Sequence, residues 1–190
     1  RRLTDCRVEV VWDRHRVEVS LPFAGDHQIA NLHLAIALAR AADAALAAGD
    51  AGSALELCWS YLERRPQGAM LETVLDSFRR ALEAAGSAGQ ARSWDAKVRA
   101  AKGLAAGTVA RLRIACAGMI LADDPAEALA ILTAVRTRPL ADRAAAEAGL
   151  LAGRYYAAVG DTGRALEALE SLASSRADRI GAEARMAKAQ

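Results

Sequence analysis

The phrase AGDAGSALELC (Ala48–Cys58) returns, little altered, as VGDTGRALEAL (Val159–Leu169). Both copies place Gly-Asp first, a second Gly shortly after, and then Ala-Leu. Two weaker copies lie between them. The turn residues Gly49, Gly86, Asp123 and Gly160 each stand 37 residues after the one before, and Ala54, Ala91, Ala128 and Ala165 keep the same interval. Self-similarity at a fixed interval of this size marks stacked repeats.

Each copy reads as a hinge between two helices. Glycine ends a helix in the left-handed conformation without a steric cost. Asp50, Ser87, Asp124 and Asp161 follow it and can accept backbone N–H groups as N-caps of the next helix. Ser87 precedes Gln90 and Asp124 precedes Glu127 at capping-box spacing, and Pro125 takes a first helical position. Helical periodicity between hinges predicts first helices over Asn31–Ala48, Ala69–Ala85, Thr108–Ala122 and Leu140–Val159. It predicts second helices over Ala51–Arg64, Ala88–Ala101, Pro125–Arg136 and Thr162–Ala173. Pro66 and Pro139 fall in the links between pairs.

The composition agrees with helices of small cross-section. Residues counted as hydrophobic make up 53% of the 190, yet aromatics make up only 4%, and much of the rest is alanine. Close backbone approach must therefore replace bulky interdigitation. The expected core takes Leu38, Ala41, Ala45, Leu75, Phe78, Leu82, Leu112, Ala115, Met119, Ala152 and Tyr156 from first helices. Second helices add Ala54, Cys58, Tyr61, Val98, Leu132, Val135, Leu169 and Leu172. Gly153 joins Ala41, Ala115 and Ala152 as a place where helices could come close.

The hinge residues and their offsets resemble tetratricopeptide repeats, a family with a 34-residue helix–turn–helix unit. The fourth copy carries the likeness on Gly153, Tyr156, Gly160, Asp161 and Ala165, the first on Gly49, Asp50, Ala54, Tyr61 and Pro66. Two positions depart from the pattern: Arg79 replaces a small residue, and Asp95 an apolar one. The resemblance implies an all-α, right-handed α-solenoid of about four 37-residue repeats over residues 25–176, with residues 177–190 as a capping or truncated helix. It further implies that first helices line a concave groove for a peptide or partner helix. Carried over repeat by repeat, the groove positions are Asp43, Thr73, Asp76, Arg80, Glu83, Arg113, Glu147 and Arg154. Their mixed charge departs from the basic carboxylate clamp of some family members, and each could equally be part of a solvated face.

Residues 1–24 are different text. Val8, Val10 and Trp12 alternate with polar residues, as do Val17, Val19 and Leu21, around a polar Asp13–Arg16 turn, which predicts a β-hairpin. Two strands alone are marginal in water, so the hairpin is expected to pack on the first helices or to end an upstream domain. The passage loosely resembles the region after the metal-binding domain of bacterial von Willebrand type A proteins, although the Asp-x-Ser-x-Ser motif is absent. Gly25–Ala37 resembles the Gly-x-His-x-x-x-Asn segment of Mur ligases and folylpolyglutamate synthases. No Gly-x-x-x-x-Gly-Lys loop accompanies it to hold phosphates. In the simpler reading Asp26 or Asn31 starts a helix.

Little else points to chemistry. Cys6, Cys58 and Cys116 show neither a disulfide nor a zinc spacing, and the latter two fall on core positions. His15, His27 and His33 are badly spaced for one metal, and Trp12, Trp59 and Trp94 are too scattered for a stacking platform. A formal net charge of +2 without a Lys/Arg run argues against nucleic acid. No apolar stretch is long enough to span a bilayer. These readings predict a non-enzymatic, cytoplasmic, bacterial-type interaction scaffold without cofactor or metal, binding a protein or peptide. The competing reading is a helical accessory region of a larger enzyme or regulator whose active site lies upstream. End-to-end stacking of repeats into homo-oligomers is a third expectation. The chain opens without Met and is read as a piece of a longer protein.

Overall fold

The computed structural model describes residues 6–12, 15–21, 26–64, 68, 70–136, 142–175 and 179–188. Side chains are described from Ile36 on, apart from residues 142, 171, 174–175, 179–180, 182 and 187–188. Strands β1 (Cys6–Trp12) and β2 (His15–Leu21) pair antiparallel, aligning Val8 with Val19 and Val10 with Val17. His15 and Arg16, expected in the turn, belong to β2. Asp13 and Arg14 lie outside the described residues.

From Asp26 onward every described element is an α-helix. These are α1 (Asp26–Ala47), α2 (Ala51–Arg64), α3 (Leu71–Ala85), α4 (Ala88–Ala100) and α5 (Ala106–Ile120). They continue as α6 (Pro125–Arg136), α7 (Asp142–Ala158), α8 (Thr162–Ser175) and α9 (Arg179–Lys188). The chain reverses at residues 49, 86, 123 and 160. Helix α1 starts at Asp26, five residues before Asn31, so Asn31 is interior rather than a cap.

All four hinge caps form. Asp50 Oδ1 accepts the N–H of Ser53 at 2.9 Å, Ser87 Oγ that of Gln90 at 3.3 Å, Asp124 Oδ1 that of Glu127 at 2.9 Å, and Asp161 Oδ1 that of Arg164 at 3.1 Å. The Ser53 hydroxyl and N–H hold the Asp50 carboxyl below its ordinary pKa. Gly49, Gly86 and Gly160 sit at φ 79°, 60° and 79°. At the first and last hinges a paired closure follows: Asp50 N–H reaches Ala45 O at 2.8 Å, and Asp161 N–H reaches Tyr156 O at 2.9 Å. The third hinge has no glycine. There the N–H groups of Asp123 and Asp124 share the Ile120 carbonyl at 2.9 and 2.8 Å, a different closure from that at the first and last hinges. The alanine after each hinge is buried, with Ala54, Ala91 and Ala128 at 0% exposure and Ala165 at 5%.

The helices separate into two kinds of neighbour. α1, α3, α5, α7 and α9 follow one another with backbones in close approach. Among the described residues, α2, α4, α6 and α8 make no such approach to each other. They meet only through side chains, such as Lys97 with Glu56 at 3.0 Å and Arg92 with Glu127 at 2.7 Å. The odd helices are thus the tighter layer.

Side-chain size sets how closely each couple folds. Ala42, Arg79, Cys116 and Gly153 stand at equivalent positions of the four repeats. At Gly153 a Cβ would come within 2.7 Å of Leu169, so α7 and α8 lie against each other. In the second couple Arg79 occupies that position, and Phe78 meets Trp94 edge-on at 5.3 Å between ring centroids. α3 and α4 consequently stay apart along most of their length, and α4 packs on α5 instead. Trp94 also meets Trp59 at 5.7 Å, and Lys97 Nζ lies 4.2 Å from the Trp94 ring centroid.

The core contains most of the residues expected. Leu38, Ala45, Ala115, Met119, Tyr156 and Leu172 are half-buried rather than enclosed. Ala41 is exposed, because the buried stripe of α1 runs through Ala39 and Ala42, one residue out of phase with the expected face. Tyr61, fully buried, has its hydroxyl satisfied by the N–H of Met70 at 3.1 Å.

The glycines make a paired test of this packing. Gly153→Ala must displace Leu169 and should destabilise the fold by about 1–3 kcal/mol. Gly118→Ala, whose Cβ would meet nothing nearer than 4.0 Å, should stabilise helix α5 by about 0.5–1 kcal/mol. Urea melts of the two variants should move in opposite directions, and a shared sign would contradict the close α7–α8 approach.

Candidate functional site

Small residues on one face of α5 leave a hollow in the tighter layer. Ala115 and Gly118, three apart on that face, form the floor, and α3 and α7 stand on either side. The resulting cavity of about 310 Å³ includes Leu75 and Phe78 from α3, Leu112, Ile114 and Met119 from α5, and Leu150 and Leu151 from α7. Its rim carries Asp76, Arg79, Glu83, Arg111, Arg143, Glu147, Arg154 and Glu183, four of each sign.

The rim charges are tied to one another across helices. Glu72 of α3 accepts Arg111 Nη1 of α5 at 2.6 Å on one oxygen and Arg143 Nη1 of α7 at 2.7 Å on the other. Glu147 accepts Arg143 Nε at 3.2 Å and lies 3.6 Å from Arg111 Nε. One carboxylate therefore joins three successive odd helices, reaching from α3 past α5 to α7. At the other end Arg79 bonds Asp76 at 3.1 Å and also bonds Glu83, while Arg154 bonds Glu183 of α9 at 3.2 Å. Burial works against the Arg79 cation, but the two carboxylates outweigh it and raise its pKa.

Of the eight groove positions expected from the sequence, Asp76, Glu83, Glu147 and Arg154 line the cavity. Asp43 and Arg80 do not; they pair with each other at 3.4 Å, and Asp43 also accepts Ser77 Oγ at 2.9 Å. Thr73 is exposed beside the cavity without lining it. Arg113 does not line the cavity. It follows Arg111 by two residues, about 200° around the helix, and so turns toward α4. There its Nε donates to Asp95 at 2.7 Å, with both side chains largely buried. Asp95, the polar departure from the repeat pattern, is thus answered by Arg113 and by Arg99 at 3.0 Å.

Arg79, Arg111, Arg143, Glu183 and the bridging Glu72 are absent from the expected set. The i,i+4 spacings of Arg79 with Glu83 and Arg143 with Glu147 were an available signal for two of them. Nothing local marks Glu72, whose partners lie 39 and 71 residues away.

The two described thiols belong to the core. Burial pushes Cys58 and Cys116 up to about 12, with smaller contributions from the nearby Asp43 and Asp95 carboxylates. Among the described residues no cluster of His, Cys, Asp and Glu is arranged to hold a metal, and no helix is long and apolar enough to cross a membrane. The side chains of Cys6 and the three histidines lie outside the described residues.

No protein-family model, no curated protein and no solved structure matches this chain significantly.

Two outcomes follow from the buried groups. Asp95→Ala leaves Arg113 without its partner and should cost about 3–5 kcal/mol by urea denaturation, whereas Asp95→Leu combined with Arg113→Met should recover most of it. In a Cys6→Ser background, Cys58 and Cys116 should resist iodoacetamide at pH 8 and react fully once unfolded. Rapid labelling of the native protein would contradict their burial.

Proposed function

We propose that this chain is a non-catalytic protein–protein interaction scaffold. On this reading the helical couples form a right-handed α-solenoid whose odd helices line the concave side, and a partner peptide or helix seats along α5. The observation that carries the reading is the cavity between α3, α5 and α7, with an apolar floor beneath a rim of balanced charge. A volume of about 310 Å³ is at the lower end for ligand pockets, a size suited to a few anchoring side chains. Supporting the concave sense, Glu72 and Arg143 meet across an intervening helix at 2.7 Å, which a flat layer would not allow so readily. Apolar anchors in a desolvated centre with charges around them are the usual distribution of binding energy at protein interfaces.

Gly118 gives a test that spares the fold, because its Cβ direction opens into the cavity. Gly118→Trp should fill the hollow while leaving the melting midpoint within a few degrees of the parent. Partners captured by the parent protein from cells of its source should be lost with Gly118→Trp and with Arg154→Glu. They should be retained with Glu167→Lys on the outer face of α8. An unchanged captured set in the plugged variant would remove the groove from the account.

A further inference from the structure

We propose that the Arg111–Arg143 end of the cavity receives a side-chain carboxylate of the partner polypeptide, and that Glu72 holds its place in the free protein. The inference rests on the groove reading above and adds the chemistry of the occupant. Four charges meet here, but they are not equivalent. Arg111, Arg143 and Glu147 line the cavity, whereas Glu72 reaches over from outside it. The Arg111 side chain is 12% exposed and that of Glu147 19%, against 61% for Glu72. The guanidinium of Arg111 is therefore a fixed part of the wall, and Glu72 is the loose member.

Arg111 is also incompletely satisfied. Its Nε is buried without a hydrogen bond, and Glu147 Oε2 lies 3.6 Å from it. With Glu72 swung into solvent, two guanidiniums would face the single carboxylate of Glu147, leaving a net positive pocket at the edge of an apolar floor. A carboxylate from outside fits the vacated acceptor position, since both Nη1 groups already converge on one carboxylate at 2.6 and 2.7 Å. Only the Glu72 side of this network is exposed, so Glu72 can pass to solvent while a partner's carboxylate takes over its two bonds and the largely buried Arg111 is never left unpaired. Leu112, Leu150 and Leu151 stand nearby to take apolar side chains flanking the acid. The cavity continues along α5 to Arg154 and Glu83, a length that suits a chain rather than an isolated small acid.

Two blocked peptides separate the alternatives: acetyl-Leu-Glu-Leu-amide and its counterpart with Gln in place of Glu. Binding would be followed by amide chemical shifts around Arg111 and Gly118. The acidic peptide should bind more tightly than the neutral one by about fivefold or more, and Glu72→Gln should tighten it by a further factor of about five. Arg143→Gln should abolish the preference. Equal binding of both peptides, unmoved by Glu72→Gln, overturns the carboxylate assignment and leaves the groove standing. Failure of both peptides to bind, in the parent and in Glu72→Gln alike, overturns the assignment together with the groove reading. Free acetate matching the acidic peptide in affinity would replace the polypeptide by a small acid and overturn the proposal as stated.

Discussion

The chain must turn back on itself within two to four residues at every hinge, and at each one a capping side chain bonds an orphan N–H of the incoming helix. Asp50, Ser87, Asp124 and Asp161 make that bond, and the alanine four residues later is packed with almost no exposure. A cap fixes where a helix begins, and a buried alanine fixes how near its first turn comes to the preceding helix. Because both recur at the same interval, each couple presents its faces to the next in the same phase. The continuous odd-helix layer depends on that phase being kept.

Within this regular frame, differences in side-chain size produce the site. Gly153 lets Leu169 lie against the α7 backbone, while Phe78 and Trp94 meet between α3 and α4, whose backbones stay apart. Displaced from α3, helix α4 leans on α5 and brings Asp95 to Arg113. On the opposite face of α5, Ala115 and Gly118 are too small to fill the space between α3 and α7. The hollow is therefore a consequence of alternating large and small residues in successive repeats. Its charged rim follows from the same stacking, which brings Glu72 of α3 within reach of Arg111 on α5 and Arg143 on α7.

The helical architecture was legible because its signals are local. A glycine, a capping oxygen and an alanine at constant offsets specify each turn, and the helix ends from residue 51 onward lie within a few residues of the positions expected. The phase of α1 was not legible: it is almost uniformly alanine and leucine there, and nothing in the text distinguishes Ala41 from Ala42. The site was half legible. Asp76, Glu83, Glu147 and Arg154, expected from repeat register, line the cavity, whereas Arg113, expected beside them, turns to Asp95. Register has no knowledge of Asp95, whose burial makes a stronger claim on that guanidinium. Glu72 could not be found at all, because its two partners belong to the next repeat and the one after, and only the folded layer brings them together.

The odd helices approach one another more closely than the even helices do. Spin-label distances between repeat-equivalent positions test this directly, with labels at Arg80→Cys and Arg154→Cys on α3 and α7 and at Ser93→Cys and Glu167→Cys on α4 and α8. The native Cys6 would be changed to Ser. A clearly shorter separation is expected for the pair on α3 and α7 than for the pair on α4 and α8. Equal separations, or a shorter one between α4 and α8, would contradict the layering.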